Sequence, residues 1–290
     1  MAEGTFTFGG VTWGEDTPLV VESMTADMGE IRSEDAERPF GDGSFVGRDR
    51  LGSGTWEWEI ATDAADFEDG GTNALDLWER LQAAWRVAVR EGVPGRLYPL
   101  TYTALGRTRR IYGRPRRADI PNGPDVLAKA GQARGAVQFM LADPYTYDED
   151  PQQVEISRIA PAGTGTTIPT PIPFMLGTEG SSRHGVVEVG GTAPTPFTAT
   201  FHGPVTNPYL IGPGWEIRLE GAVDAGQAVS VDTREQVVMR GLTNVRGALR
   251  RGSTLGGRLQ PGTSRITYGG IDGTNTSRVT LSWRPAYYSI

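Results

Sequence analysis

The chain has 290 residues, of which 38% are hydrophobic, and its formal net charge is -7. This length suits two domains of ordinary size, and the composition is typical of a globular protein rather than a disordered one. There is no cysteine, which excludes disulfides, thiolate catalysis and Cys-ligated zinc. The acidic balance argues against specific nucleic-acid binding. No apolar run reaches the length of a membrane span and no signal peptide is visible, so no membrane partner is expected.

The first strands are predicted around Phe6 and Phe8, around Trp13, and at residues 18–21. A polar, acidic segment follows from Glu22 to Asp49 without apolar periodicity, and its length predicts a long loop. Residues 55–60 then alternate apolar and polar side chains, which indicates a strand with one buried face.

One long helix is predicted from about Asn73 to Glu91. Its apolar residues recur at helical spacing and form one stripe, namely Leu77, Trp78, Leu81, Ala84, Trp85, Ala88 and Val89. Thr72 or Asn73 is the predicted N-cap, and Gly92 followed by Pro94 is the predicted end. We expect the two tryptophans to pack against a sheet.

Strands resume at residues 96–102, 109–113 and 135–142, so residues 1–150 are predicted to form a sheet-plus-helix domain. A proline-rich stretch at residues 161–173 favours extended backbone without ladder hydrogen bonds. It leads into a second domain, residues 151–290, whose last third carries several short alternating strands between glycine-rich turns. That pattern is typical of an antiparallel sandwich or jelly roll. The predicted fold class is therefore mainly β, with an α+β N-terminal domain.

Residue patterns that would indicate catalysis are missing. His184 and His202 lack the spacing of a zinc pair, and no Gly-x-Ser-x-Gly sequence occurs. Asp143, Asp148, Glu149 and Asp150 do not have EF-hand spacing. We therefore predict no enzyme activity, no metal and no cofactor.

Several sequence features, taken in order, resemble one known family. They are the loop Arg38-Pro39-Phe40-Gly41-Asp42-Gly43-Ser44, the tryptophan-rich helix, the arginine-rich hairpin ending Tyr112-Gly113-Arg114-Pro115-Arg116, the strand closing on Ala142-Asp143-Pro144-Tyr145-Thr146-Tyr147, and the final Trp283-Arg284-Pro285-Ala286-Tyr287-Tyr288. Together they resemble the distal tail proteins of long-tailed bacteriophages, also called minor tail proteins in actinobacteriophages. A basic set that is almost entirely arginine, with Lys129 as the only lysine, is in keeping with a GC-rich actinobacterial host.

The resemblance implies a structural protein at the virion tail tip, made in the host cytoplasm. In that family the N-terminal domain assembles as a ring, usually a hexamer, at the end of the tail tube. The C-terminal galectin-like sandwich serves as a platform for tip or receptor-binding proteins. The implied partners are therefore further copies of the chain, the tail tube protein, the tape-measure protein and the tip proteins.

A ring requires two different patches that meet on successive subunits. The sequence offers a basic hairpin and an acidic segment, and we expect them to contact each other between subunits. The basic residues are Arg107, Arg109, Arg110, Arg114, Arg116 and Arg117, and the acidic ones are Asp27, Glu30, Glu34, Asp35, Glu37 and Asp42. Two other interpretations of the arginines stay open, a solvated strand face and a basic lumen that contacts DNA.

The alternative function is a carbohydrate-binding jelly-roll protein. In that hypothesis Trp215, Tyr287 or Tyr288 stacks on sugar rings. All three lie in or at the end of predicted strands, and burial in the core is the competing interpretation.

Overall fold

The computed structural model describes residues 4–62, 70–90, 95–119, 133–157 and 182–288. The chain divides into two compact units, Met1–Glu149 with Tyr288–Ile290, and Asp150–Tyr287. The proline-rich stretch at 161–173, the predicted helix end at Gly92 and the lysine at 129 lie outside the described residues.

The first unit is a sheet with one long helix. Its elements are β1 (Thr5–Phe8), β2 (Val11–Gly14), β3 (Leu19–Asp27), β4 (Ile31–Arg32), β5 (Ala36–Glu37), β6 (Ser44–Phe45), β7 (Arg50–Leu51), β8 (Gly54–Thr62), α1 (Gly70–Arg90), β9 (Tyr98–Ala104), β10 (Arg107–Asp119), β11 (Arg134–Leu141) and β12 (Thr146–Asp148). The main sheet has the order β2-β1-β9-β10-β11-β8-β3, with β12 beside β10. The pairs along this order and the β10–β12 pair are antiparallel, an arrangement in which neighbouring strands such as β1 and β2 can be joined by a tight hairpin.

The core of the first unit is aromatic. In β8 the side chains of Trp56, Trp58 and Ile60 point inward and are at most 1% exposed, as the period-two pattern predicts. The Phe6 ring lies 5.3 Å from Trp58 and 6.0 Å from Trp13, centroid to centroid. Interlocked aromatic rings of this kind bury a large apolar area in a small number of side chains.

The predicted helix is present, and the residues of the predicted stripe whose side chains are described are buried or half-buried; the side chain of Val89 lies outside the described residues. Trp78, Leu81 and Trp85 are almost fully buried. The predicted start was wrong by about one turn, because the helix begins at Gly70 and the expected caps Thr72 and Asn73 lie within it. Glycine has a low helix propensity, and Gly70 and Gly71 therefore gave no sequence signal for this earlier start.

The second unit is a two-sheet sandwich. Its elements are β13 (Gln152–Ser157), β14 (Ser182–Val189), β15 (Phe197–His202), β16 (Val205–Gly212), β17 (Trp215–Arg218), β18 (Ala222–Val223), β19 (Ala228–Asp232), β20 (Val237–Arg240), β21 (Thr243–Asn244), a 3-10 turn (Arg246–Ala248), β22 (Gly262–Ile271), β23 (Arg278–Trp283) and β24 (Ala286–Tyr287). One sheet has the order β13-β23-β15-β19-β20-β21 and the other β14-β22-β16-β17, with β18 beside β16. The two inner faces share one apolar core that includes Phe201, Leu210, Tyr268 and Leu281. The predicted mainly β fold class is therefore confirmed.

The acidic segment Glu22–Asp49 is not a plain loop, so that prediction was wrong. β3 continues to Asp27, and two short hairpin ladders extend it: β4 pairs with β7, and β5 pairs with β6. These ladders are two residues long on each side and expose both faces. A strand with neither face buried has no apolar alternation, which is why the sequence pattern did not reveal it.

Candidate interaction surfaces

Residues 27–51 form an extended hairpin, here called the arm, that joins β3 to β8. Every residue from Glu30 to Leu51 is exposed. At its tip the backbone N–H of Arg38 donates to the carbonyl of Gly43 at 3.1 Å. Met28 at its base packs against the core of the first unit, and the exposed remainder from Glu30 to Leu51 is an ordered hairpin outside that core.

Three of the predicted acidic residues maintain the shape of the arm. The Asp27 carboxylate accepts from the backbone N–H of Gly29 at 2.8 Å, and that of Asp35 accepts from Gly47 at 2.7 Å. Glu34 lies 3.9 Å from Arg50 across the hairpin. The other three, Glu30, Glu37 and Asp42, are exposed along the arm. All six thus lie on one element, as the charge pattern requires, and their proposed contact with a neighbouring subunit stays a prediction.

The arm also carries apolar side chains that the sequence analysis did not single out. Phe40 is 100% exposed, Val46 84%, Ile31 68% and Phe45 60%. The Arg38 guanidinium lies 5.3 Å from the centre of the Phe45 ring. The available signal was large apolar residues isolated within an acidic segment, which a loop has no structural reason to carry.

The six arginines of the predicted basic hairpin all lie on β10, which we call the arginine strand. Period two divides them between its faces. Arg109 shares the inner face with Ile111, is 7% exposed, and donates from Nη1 to Thr146 Oγ1 at 3.3 Å. Its side chain thus belongs to the interior of the first unit.

Arg110, on the other face, forms a two-pronged hydrogen bond with Glu149: Nε donates to Oε2 at 2.8 Å and Nη2 donates to Oε1. Burial alone would lower the pKa of Arg110, but this bond to Glu149 raises it. Arg117 pairs with Asp119 and lies 3.9 Å from Glu57. These two arginines thus have acidic partners within the chain.

Arg114 is half-buried and donates from Nε to the carbonyl of Arg96 at 3.0 Å. Arg107 and Arg116 are exposed, and the Nη2 group of Arg116 lies 3.2 Å from the sulfur of Met140. Three of the six arginines, Arg107, Arg116 and Arg117, are therefore exposed on the arginine strand, and Arg117 is the one of these that pairs with Asp119.

A groove of about 570 Å³ lies between the helix, the β1–β2 turn and the start of β9. We call it the helix groove, and it is lined by Phe8, Gly9, Gly10, Val11, Arg80, Ala83, Ala84, Val87, Ala88, Arg96, Tyr98 and Pro99. Its walls are mostly apolar, and Val87 within it is 50% exposed. The bond from Arg114 to Arg96 connects the groove to the arginine strand.

The residues considered for catalysis or sugar binding have structural partners in the second unit. The His184 ring contacts the Thr267 hydroxyl at 2.8 Å, and that of His202 contacts Thr280 at 3.1 Å. Trp215 is 5% exposed and packs on Phe197, with the ring centroids 4.6 Å apart. It is therefore a core residue rather than part of a sugar-binding surface.

The other two aromatic residues of the carbohydrate hypothesis lie near the chain end, where Tyr287 is half-buried and Tyr288 is 55% exposed. Across the described ranges, no cluster of His, Cys, Asp or Glu side chains could hold a metal ion. Within the same ranges, no helix combines the length and apolarity needed to cross a bilayer.

Comparison with known proteins gives a family match in the second unit. Residues 190–287 match the model of the siphovirus-type tail component, C-terminal domain. No curated protein matches the sequence significantly.

Solved structures extend the likeness to the whole chain. The Dit protein (gp 19.1) of phage SPP1, described as a paradigm of the hub adsorption apparatus in phages that infect Gram-positive bacteria, matches with a TM-score of 0.59 and 13% identity over 98% of each chain. A chain of the phage P2 baseplate in its activated conformation with Ca matches with a TM-score of 0.54 and 11% identity, over 96% of this chain and 97% of that one. The same baseplate with Sr gives 0.53 and 11%, over 97% of both chains. At these identities the structural likeness shows a shared fold, and together with the family match it confirms the resemblance seen in the sequence.

Proposed function

We propose that this chain, whose C-terminal domain belongs to the siphovirus-type tail component family, is a structural subunit of a phage tail hub. In this proposal it forms a ring, hexameric as the resemblance implies, at the distal end of the tail. The ring joins the tail tube and tape-measure proteins to the tip or receptor-binding proteins.

The observation that carries the proposal is the agreement between the two units. The second unit supplies the family match over residues 190–287, and the likeness to the SPP1 hub protein runs through both units over 98% of the chain. A fold alone does not define a function. Here, however, the family is itself a tail-component family and the likeness continues through the unit with the arm.

The first unit supports ring formation because it presents two different exposed surfaces. The arm carries the carboxylates Glu30, Glu37 and Asp42, and the arginine strand exposes Arg107 and Arg116. Such ion pairs contribute only about 0–1 kcal/mol each when exposed, so they would set the register of the contact. An interface of about 2,000 Å² or more with an apolar centre must supply most of the binding free energy.

A structural role also fits the side chains that could have been catalytic. Each histidine contacts a threonine on the neighbouring strand, and Glu57 and Glu59 alternate with the buried tryptophans of β8. These contacts belong to sheet surfaces and not to a site where a nucleophile, a base and an electrophile converge.

The experiment is to purify the full chain, measure its mass by light scattering after size exclusion, and image the particles by electron microscopy. We expect closed rings with a central hole. The double variant Arg107→Glu, Arg116→Glu should remain folded and form rings at higher protein concentration than the wild type. Arg251→Glu, an exposed reversal in the second unit, is the matched control and should assemble normally.

If the double variant forms rings at the same protein concentration as the wild type, the arginine strand is not part of the interface. The absence of any closed assembly, alone or with the tail tube protein, would overturn the hub proposal. Binding of glycans by a stable monomer would favour the carbohydrate-binding alternative.

A further inference from the structure

We propose that the tip of the arm of one copy docks into the helix groove of the next copy, with Phe40 as its anchor. This inference rests on the proposed function in one respect, which is that copies of the chain associate with each other. It names the contact that would hold successive subunits together.

The first reason is that the arm beyond Met28 does not pack against the core of its own unit. Its strands are two residues long on each side, and an isolated hairpin of this kind is only marginally stable in water. Even so, it exposes Phe40, Val46, Ile31 and Phe45 on one element. Clustered exposed apolar side chains mark interaction sites.

The second reason is that the groove has the shape and lining to receive such a tip. Its volume of about 570 Å³ accommodates an aromatic ring and its neighbours. Gly9, with φ of +58°, brings the β1–β2 turn close to the helix, since a Cβ there would lie 2.5 Å from the Cβ of Ala84. Gly10, with φ of +81°, has no atom within 4 Å of an added Cβ and leaves the groove open at that point.

Charge complementarity selects the arm as the occupant. Residues 27–51 contain seven carboxylates and four arginines, so the arm is net acidic. The groove is flanked by Arg80 and Arg96, and none of its lining residues within the described ranges is a carboxylate. Arg114, bonded to the Arg96 carbonyl, continues the basic surface onto the arginine strand. An apolar tip on an acidic stem therefore matches an apolar groove with a basic rim.

The dimensions are also consistent with a contact between copies. Each leg of the arm has about 12 residues and spans up to about 40 Å. That is comparable to the width of a domain of about 150 residues. Because the arm and the groove are different patches, their contact repeats from copy to copy and gives a closed ring or an open chain.

The chain contains no native cysteine, which allows a direct test by disulfide crosslinking of the full protein. The double variant Phe40→Cys, Val87→Cys should, on mild oxidation, give a ladder of covalent oligomers on a denaturing gel. Each single variant should give at most a dimer. The matched control is Phe40→Cys, Leu242→Cys, which places the second thiol on a 99% exposed residue of the second unit and should give no ladder.

Complementation adds a readout without covalent chemistry. Phe40→Asp should disable the arm tip, and Val87→Asp should disable the groove. Each variant alone should assemble at least about tenfold more weakly than the wild type, as expected for the loss of one buried aromatic anchor. Mixed together, the two variants retain one intact tip and one intact groove between them. They should form a one-to-one heterodimer that cannot grow.

The outcomes separate this inference from the hub proposal. If the Phe40→Cys, Val87→Cys variant forms rings without a ladder, and Phe40→Asp still forms rings as the wild type does, the docking contact is overturned and the hub proposal stands; the groove would then take another tail protein. A ladder without closed rings would support the contact and count against the ring. Neither rings nor ladder would overturn both.

Discussion

Trp85 offers the sharpest test of how the first unit is held together. The side chain is 1% exposed, and its ring centroid lies 4.8 Å from Phe8, 6.1 Å from Trp13 and 6.3 Å from Phe139. Its indole N–H makes no hydrogen bond within the described residues, so the loss on truncation is one of packing. Replacing a buried tryptophan by alanine costs about 3–5 kcal/mol. In a unit of about 150 residues that corresponds to a fall in Tm of roughly 10 °C.

The assay is denaturant unfolding followed by tryptophan fluorescence, because five of the seven tryptophans lie in the core of the first unit. Arg86→Ala, the exposed neighbour on the same helix, is the control and should change the free energy of unfolding by less than about 0.5 kcal/mol. Trp85→Phe keeps one ring and should cost less than Trp85→Ala. A cost below about 1 kcal/mol for Trp85→Ala would refute the view that the helix is fastened to the sheet through this aromatic cluster.

Three further changes have definite expected outcomes. Gly113→Ala should destabilise the first unit by about 1–3 kcal/mol in chemical unfolding, because the added Cβ would lie 2.0 Å from the Met140 carbonyl oxygen. A variant with the stability of the wild type would refute the close approach of β10 and β11. Burial alone would raise the pKa of Asp272, but hydrogen bonds from the loop that follows lower it, so the stabilisation is present above the unfolded pKa and is lost as the pH falls through the folded one. Asp272→Ala should therefore cost about 1 kcal/mol or more at neutral pH, and progressively less in strong acid, when unfolding is compared across that range. Burial lowers the pKa of His202, so the unfolded chain binds the proton more readily and stability should fall as the pH drops below about 6.5; an equal fall in His202→Gln would contradict this.

Several elements with one buried face were predicted from the sequence, although β15, which has the same alternation, was missed. The alternation at residues 55–60 predicted β8, and the spacing of Trp78, Leu81 and Trp85 predicted the helix. The alternation of apolar and polar residues in the last third of the chain predicted strands of the sandwich. In each case the buried side chains supply both the periodic pattern and the packing free energy, so pattern and structure agree.

The sequence was a poor guide where packing does not supply a pattern. From Glu30 to Leu51 the arm has no buried face, so the sequence predicts a loop where the structure has two short ladders and an exposed Phe40. The arginine cluster was treated as one patch, although period two places Arg109 beside Ile111 on the inner face. The alternation of faces along a strand can be counted in the sequence alone, and it places Arg109 and Arg110 on opposite faces.

The strand order of the main sheet has a consequence for how the protein is made. β11, which begins at Arg134, lies between β10 and β8, and Arg134 pairs with Ala61 across more than seventy positions of chain. A ribosome must therefore release most of the N-terminal half before the middle of the sheet can close, and pairing over such separations is slow. During that interval the arm with its apolar side chains is already synthesised, whereas the sheet of the same chain is still open. The order of synthesis thus exposes the apolar side chains of the arm before the first unit can complete its sheet.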